Sequence, residues 1–173
     1  MSNYFNTVDS PNVKAYKQAK KRLSRYQRRV NKKEPGSKNR AKTIKKLAKL
    51  HKKVADIRAD TLHKLTTWLA KNHSTIVIED LNVSGMLKNH KLASAIADCG
   101  FYEFKRQLIY KCEWYGSQLV IADRFYPSSQ ICSHCGQKQK MLLSVRTYKC
   151  SNCGFEADRD FNAAINLENY VHQ

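Results

Sequence analysis

Hydrophobic positions follow two rhythms along the chain, and each predicts its own architecture. From the first, Tyr16, Ala19, Leu23, Tyr26 and Val30 recur at three and four residues, the seam of an amphipathic helix. "EPGSKNR" breaks that seam: Pro35 and Gly36 are turn residues, and Ser37 stands where a second helix would be capped. Leu47, Leu50, Val54 and Ile57 resume it, and after a phase slip it continues through Leu62, Leu65 and Leu69. Two long helices joined by so short a loop are expected to fold back as an antiparallel hairpin.

The second rhythm begins at "STIVIED". Consecutive β-favouring residues ending in two acids predict a buried strand over Ser74–Asp80 with a charged C-terminal tip. "LNVSGMLKNHK" reads as loop. Leu92, Ile96, Cys99, Phe104, Leu108 and Cys112 suit a further helical region in which Gly100 is a weak point, and "SQLVIAD", Ser117–Asp123, is a second buried strand with an acid at its tip. A final helix is expected from about Asp160 to Tyr170. Strand, helix, strand is α/β alternation, and its crossover geometry favours parallel neighbours. At 173 residues this makes one medium domain, or a small domain with a satellite.

Charge turns the hairpin into a candidate binding surface. Residues 1–75 carry 21 Lys/Arg against 4 Asp/Glu, whereas residues 76–173 carry 11 against 10, so nearly all of the formal +18 lies in the first half. A field of that size attracts polyanions, nucleic acid first among them. A solvated basic tail is the bland alternative, and the helical seams argue against it. Lys21, Arg22, Arg25, Arg28 and Arg29 on the first helix are the candidate contacts, with Lys42, Lys45, Lys46, Lys49, Lys52 and Lys53 on the second. The chain has no apolar run near the roughly 18 residues of a membrane span, and no secretory leader pattern, which makes the cytoplasm the expected compartment.

Four of the six cysteines form C-x2-C-x14-C-x2-C: Cys132, Cys135, Cys150 and Cys153. Two such knuckles can present four thiolates to one ion, the closed tetrahedral site of structural Zn²⁺, with an iron site or a redox dithiol as the alternatives. Gly136 and Gly154 follow the two pairs, where the knuckle turn needs positive φ. His134 inside the first knuckle reads as an exposed turn residue rather than a fifth ligand. Cys99 and Cys112 stand apart and read as small buried hydrophobes.

The carboxylates are individually unspecific. Glu79 and Asp80 end one strand, Asp123 ends the other, and Asp158 and Asp160 precede the last helix, where a lone Asp is most simply an N-cap and Asp160 is the residue expected to be it. Together, acids at the C-terminal tips of α/β strands sit where such sheets place active sites. They could hold Mg²⁺ for phosphodiester cleavage. Beside a strongly basic hairpin, that suggests a nuclease.

"IVIEDLNVSGMLKNHKLA", "EFKRQLIYKCEWYG", "DRFYPSSQICSHCG" and "CSNCGFEADRDFNAAINL" closely resemble the C-terminal half of the transposon-encoded TnpB (OrfB-type transposase) proteins, relatives of compact type V CRISPR effectors. The resemblance is dense from about Pro35 to Asn169. It implies a partial RNase H/RuvC-like fold with a zinc ribbon inserted before the last helix, in a Mg²⁺-dependent, RNA-guided DNA endonuclease that meets both DNA and a guide RNA. It places the family's second acid on Glu79 and its third on Asp160. The implied organisation is a basic hairpin over 1–73, a RuvC-like core over 74–128, the ribbon over 129–157 and the final helix over 158–173. The family's first acid, in a G-[IV]-D-x-G-like strand, has no counterpart, since Asp9 in "NTVDSPNV" lacks that setting. A chain so built is expected to bind nucleic acid and to be inactive alone, as a truncated copy or a reading frame with a late start. The rival expectation is a non-catalytic zinc-ribbon module that binds RNA or DNA. A zinc ribbon of the transcription-factor kind is a third, which the family resemblance argues against.

Overall fold

The computed structural model describes residues 14–142 and 144–172; Asp9 lies outside them. These residues form two compact units, each discontinuous in sequence. The first combines the stretch up to Asn72 with Val83–Lys111, and the second combines His73–Asn82 with the chain from Cys112 onward.

In the first unit, α1 (Ala15–Asn31) packs on α2 (Lys38–Asn72). The seam residues are where the periodicity puts them: Leu23, Val30 and Val54 are buried, and Tyr16, Tyr26, Leu47, Leu50, Leu62 and Leu65 are half-buried. Ser37 caps α2, its Oγ accepting from Arg40 N at 3.1 Å. From the far side of the sequence, Asp98 accepts Tyr16 N at 3.1 Å and so serves an open N–H in the first turn of α1.

The stretch after the first strand contains three helices. α3 (Val83–Leu87) is one short turn inside the segment expected to be loop, and it packs on α4 (Ala93–Cys99). Gly100, at φ 67, separates α4 from α5 (Phe101–Tyr115). A Cβ at Gly100 would lie 3.0 Å from Leu62 Cδ1, in a backbone conformation that L-residues adopt at a cost. Gly100→Ala is therefore expected to destabilise the protein by about 1–2 kcal/mol, measured as a lower denaturant midpoint at unchanged slope. An unchanged midpoint would show that the α4–α5 break tolerates a side chain.

Polar residues also fix α5 on α2. Lys111 Nζ, on a residue 4% exposed, donates to His63 O at 2.8 Å, Thr66 Oγ1 at 2.7 Å and Thr67 Oγ1 at 2.8 Å. Thr66 Oγ1 also meets Gln107 Oε1 at 2.9 Å. Burial lowers the Lys111 pKa, because the ammonium is desolvated. Three acceptors replace the water that the ammonium loses.

The second unit holds β1 (Thr75–Glu79) and β2 (Gln118–Ala122), paired in parallel with Ile76 opposite Leu119 and Glu79 opposite Ala122. Their unbroken apolar runs predict strands covered on both faces. Ile76 and Ala122 are buried, but Ile121 is 39% exposed; among the described residues these two strands alone form this sheet. α6 (Arg159–Asn169) packs against β1, and a 3-10 turn over Tyr170–His172 extends it. Between β2 and α6 the chain makes a 3-10 turn at Ser128–Gln130 and then the cysteine ribbon, where β3 (Thr147–Lys149) pairs antiparallel with β4 (Glu156–Asp158).

Candidate metal centre and nucleic-acid interface

The ribbon is built around its cysteines. Ile131 and Lys138 form a bridge that closes the first knuckle, and the second knuckle is the turn between β3 and β4. Gly136 N donates to Cys132 O at 2.9 Å and Gly154 N to Cys150 O at 3.1 Å, at φ 75 and 73, the left-handed geometry expected at both positions. Cys132, Tyr148 and Cys150 are buried together, with Met141 and Phe155 packed on them. Gln139 joins the two halves: its Nε2 donates to Lys149 O at 2.6 Å, and its Oε1 accepts Ser151 N at 3.0 Å. No sequence pattern singles that glutamine out.

All four sulfurs lie within 4.8 Å of one another, with Cys132–Cys153 at 3.7 Å and Cys135–Cys150 at 3.6 Å. Four ligands at about 2.3 Å around a tetrahedral ion would be about 3.8 Å apart, so the quartet fits such an ion. The thiols are unequal. The Gln137 backbone N–H, then the Asn152 amide, bring Cys135 down to about 6. The Phe155 backbone N–H lowers Cys153, yet burial and the neighbouring sulfurs together push it up to about 12. Four thiolates this close repel one another, and a divalent cation relieves that repulsion. Tyr148 is raised to about 12, first by burial and then by the same sulfurs. His134 is exposed and stacks on Phe155 at 5.9 Å and 11°, so it packs the knuckle rather than joining the ligand set.

The five acids separate by what holds them. Asp80 pairs with Arg124 (Nε to Oδ2 3.0 Å), and Asp123 Oδ1 accepts Phe125 N at 2.8 Å to close its own turn. Asp158 caps α6, accepting Asp160 N at 2.9 Å and Phe161 N at 3.1 Å. The cap is therefore Asp158 rather than Asp160, and the helix starts one residue earlier than expected. Asp160 stands in the first turn, its side chain 71% exposed, with Arg159 at 3.4 Å and Arg146 at 3.8 Å. Glu79, at the end of β1, accepts Ser128 Oγ at 2.6 Å. Among the described residues the four cysteines form the one group of three or more potential ligands drawn together; the carboxylates form no such group.

On α1 and α2, all eleven expected nucleic-acid contacts are exposed. Lys21, Arg22, Arg25, Arg28 and Arg29, joined by Lys32, line an open groove along α1. Arg25 and Arg29 each place a guanidinium 5.9 Å from the Tyr26 ring. Of the α2 lysines, Lys52 is engaged by Asp56 at 3.1 Å. Among the described residues no helix is long and apolar enough to cross a membrane.

Comparison with known proteins places the chain in a family. Residues 4–90 match the family model described as "Probable transposase", and residues 101–167 match that of the "Cas12f1-like, TNB domain". A Streptomyces pristinaespiralis protein named "Putative RNA-guided DNA endonuclease" is 46% identical over 157 residues, covering 90% of this chain and 39% of that protein. An Escherichia coli protein of the same description, InsQ, is 39% identical over 177 residues, covering 93% of this chain and 44% of that one. This chain thus spans less than half the length of these relatives. A structure described as a Cas12f1–sgRNA–target DNA complex superposes with a TM-score of 0.59 at 19% identity, over 88% of this chain and 41% of that one, a likeness of fold.

Proposed function

Because this chain belongs to the OrfB family of transposases, we propose that it is the part of a TnpB-like, RNA-guided DNA endonuclease that grips nucleic acid and carries two of its catalytic carboxylates. In this reading residues 1–73 are a basic hairpin on the polynucleotide, and 74–128 are part of an RNase H/RuvC-like core. Residues 129–157 are a zinc ribbon, and 158–173 return the chain to the sheet. The observation that carries the reading is the division of labour among the acids. Asp80 is held by Arg124, Asp123 closes its own turn and Asp158 caps α6, whereas Glu79 ends β1 and Asp160 stands in the first turn of the helix packed on that same strand.

Cys132, Cys135, Cys150 and Cys153 would hold structural Zn²⁺, closed to substrate because all four positions are taken by thiolate. Glu79 and Asp160 would hold Mg²⁺, which when bound activates water and neutralises charge on the scissile phosphate. Arg146 and Arg159 beside Asp160 favour the competing reading, a binding module without catalysis, since they already balance that carboxylate.

Activity separates the two. By itself the zinc-loaded chain is expected to cut single- and double-stranded DNA no faster than its Glu79→Ala/Asp160→Ala variant, with Mg²⁺ or Mn²⁺. Two carboxylates do not fix both ions and the attacking water in line, and such positioning carries most of the rate. Substituted for the matching segment of the Streptomyces relative, it should support guide-dependent cleavage, and the double variant should cost about 10²-fold or more. Equal rates with and without the two acids in that chimera would leave the binding module. Metal-dependent cutting by the isolated chain, abolished in the double variant, would mean that Asp9, Asp80, Asp123 or Asp158 supplies a third carboxylate.

A further inference from the structure

α6 carries two asparagines on its buried face, one turn apart, where an amphipathic helix would ordinarily place apolar residues. Asn162 is 0% and Asn166 4% exposed. Buried amides persist when their hydrogen bonds are met, and here they are. Asn162 Nδ2 donates to Ile131 O at 2.7 Å, and its Oδ1 accepts Ser133 N at 3.0 Å. Asn166 Nδ2 donates to Ser128 O at 2.8 Å and Ile131 O at 2.7 Å. The turn that follows β2 is thereby fastened to the helix at three backbone atoms. Ser128 sits in that turn, 5% exposed, and its hydroxyl points at Glu79 Oε1 at 2.6 Å.

We propose that Ser128 is the positioning residue for Glu79, and that Asn166 sets Ser128 in place. The inference rests on the reading of Glu79 as a metal-binding carboxylate. Glu79 is exposed at a strand end, and an exposed glutamate samples many rotamers. A short bond from a buried hydroxyl, itself fixed through its own backbone, selects one of them and directs the remaining lone pairs. Because Asp160 lies in the first turn of the same helix, α6 governs both carboxylates: Asp160 directly, and Glu79 through Asn166 and Ser128. This also gives a reason for Ser rather than Ala or Gly in "YPSSQ" that neither the turn nor the ribbon supplies.

The test measures Mn²⁺ affinity by electron paramagnetic resonance on the zinc-loaded chain, with thermal melts in parallel. Ser128→Thr and Ser128→Val are nearly isosteric, so the pair differs in the hydroxyl while disturbing packing alike. Ser128→Val and Ser128→Ala should weaken Mn²⁺ binding by about 10- to 100-fold, and Ser128→Thr should restore most of it. Glu79→Gln should weaken it at least as much. Equal affinity in the Thr and Val variants, with Glu79→Gln defective, would overturn the positioning role and leave the nuclease reading intact. An unchanged affinity in Glu79→Gln would overturn that reading, and the positioning role with it.

Discussion

Stripping the metal from the ribbon will unfold residues 129–157 and release the start of α6. The ribbon has almost no core of its own: two three-residue strands, and Cys132, Tyr148 and Cys150 buried with Met141 and Phe155 against them. A unit this small needs an ion to hold it, and a structural zinc would contribute about 10–16 kcal/mol of apparent binding energy that is also folding energy. Without the ion, sulfurs within 4.8 Å of one another must either reprotonate or repel. The consequence reaches beyond the ribbon, because Arg159 N donates to Arg146 O at 2.7 Å and Asp158 ends β4 while capping α6. Elemental analysis should find one zinc per chain. Chelation should collapse the amide spectrum of the ribbon together with the first turn of α6, while α1 and α2 persist. Carefully purified protein that contains no zinc, or a ribbon spectrum indifferent to chelator, would contradict this.

The basic hairpin should bind nucleic acid with a steep salt dependence and little sequence preference. If α1 and α2 neutralise about 6–10 phosphates, affinity should fall by about 10³- to 10⁵-fold between about 50 and 200 mM salt. Released counterions, rather than base recognition, supply that dependence. Replacing Arg22, Arg25 and Arg29 with alanine should lower the log–log slope by about 0.7–0.9 for each phosphate left without its cation. It should also weaken different sequences equally. Arg25 and Arg29 near Tyr26 offer stacking as well as charge, so their removal should be felt more on single strands than on duplex. A binding constant that barely moves with salt would place the binding surface elsewhere.

Much of this architecture can be read from the sequence, and the reasons differ by element. Leu23, Val30 and Val54 are legible because a helix seam is a periodic signal that packing confirms residue by residue. The cysteine quartet is legible because few other uses demand that spacing, and Gly100 because α4 ends where a left-handed residue is required. What escapes is polar and tertiary. Thr66, Gln107 and Lys111 are buried against each other across more than 40 residues, and residue type alone marks each as surface. Asn162 and Asn166 escape for the same reason, since their acceptors are backbone oxygens of a turn over 30 residues away. The α6 cap is ambiguous locally, because Asp158 and Asp160 both suit the position; the Asp158 bonds to Asp160 N and Phe161 N decide it. The family resemblance carries Glu79 and Asp160, for which no spacing rule exists.

The nuclease reading requires Glu79 and Asp160 to meet at a divalent ion. Paramagnetic broadening examines that convergence itself: Mn²⁺ titrated at substoichiometric levels into the zinc-loaded, isotope-labelled chain, read at the backbone amides. Asp80 and Leu81 should broaden together with Asp160 and Phe161, and Glu79→Gln/Asp160→Asn should abolish both effects. Broadening at one of these two places without the other, or at neither, would contradict convergence.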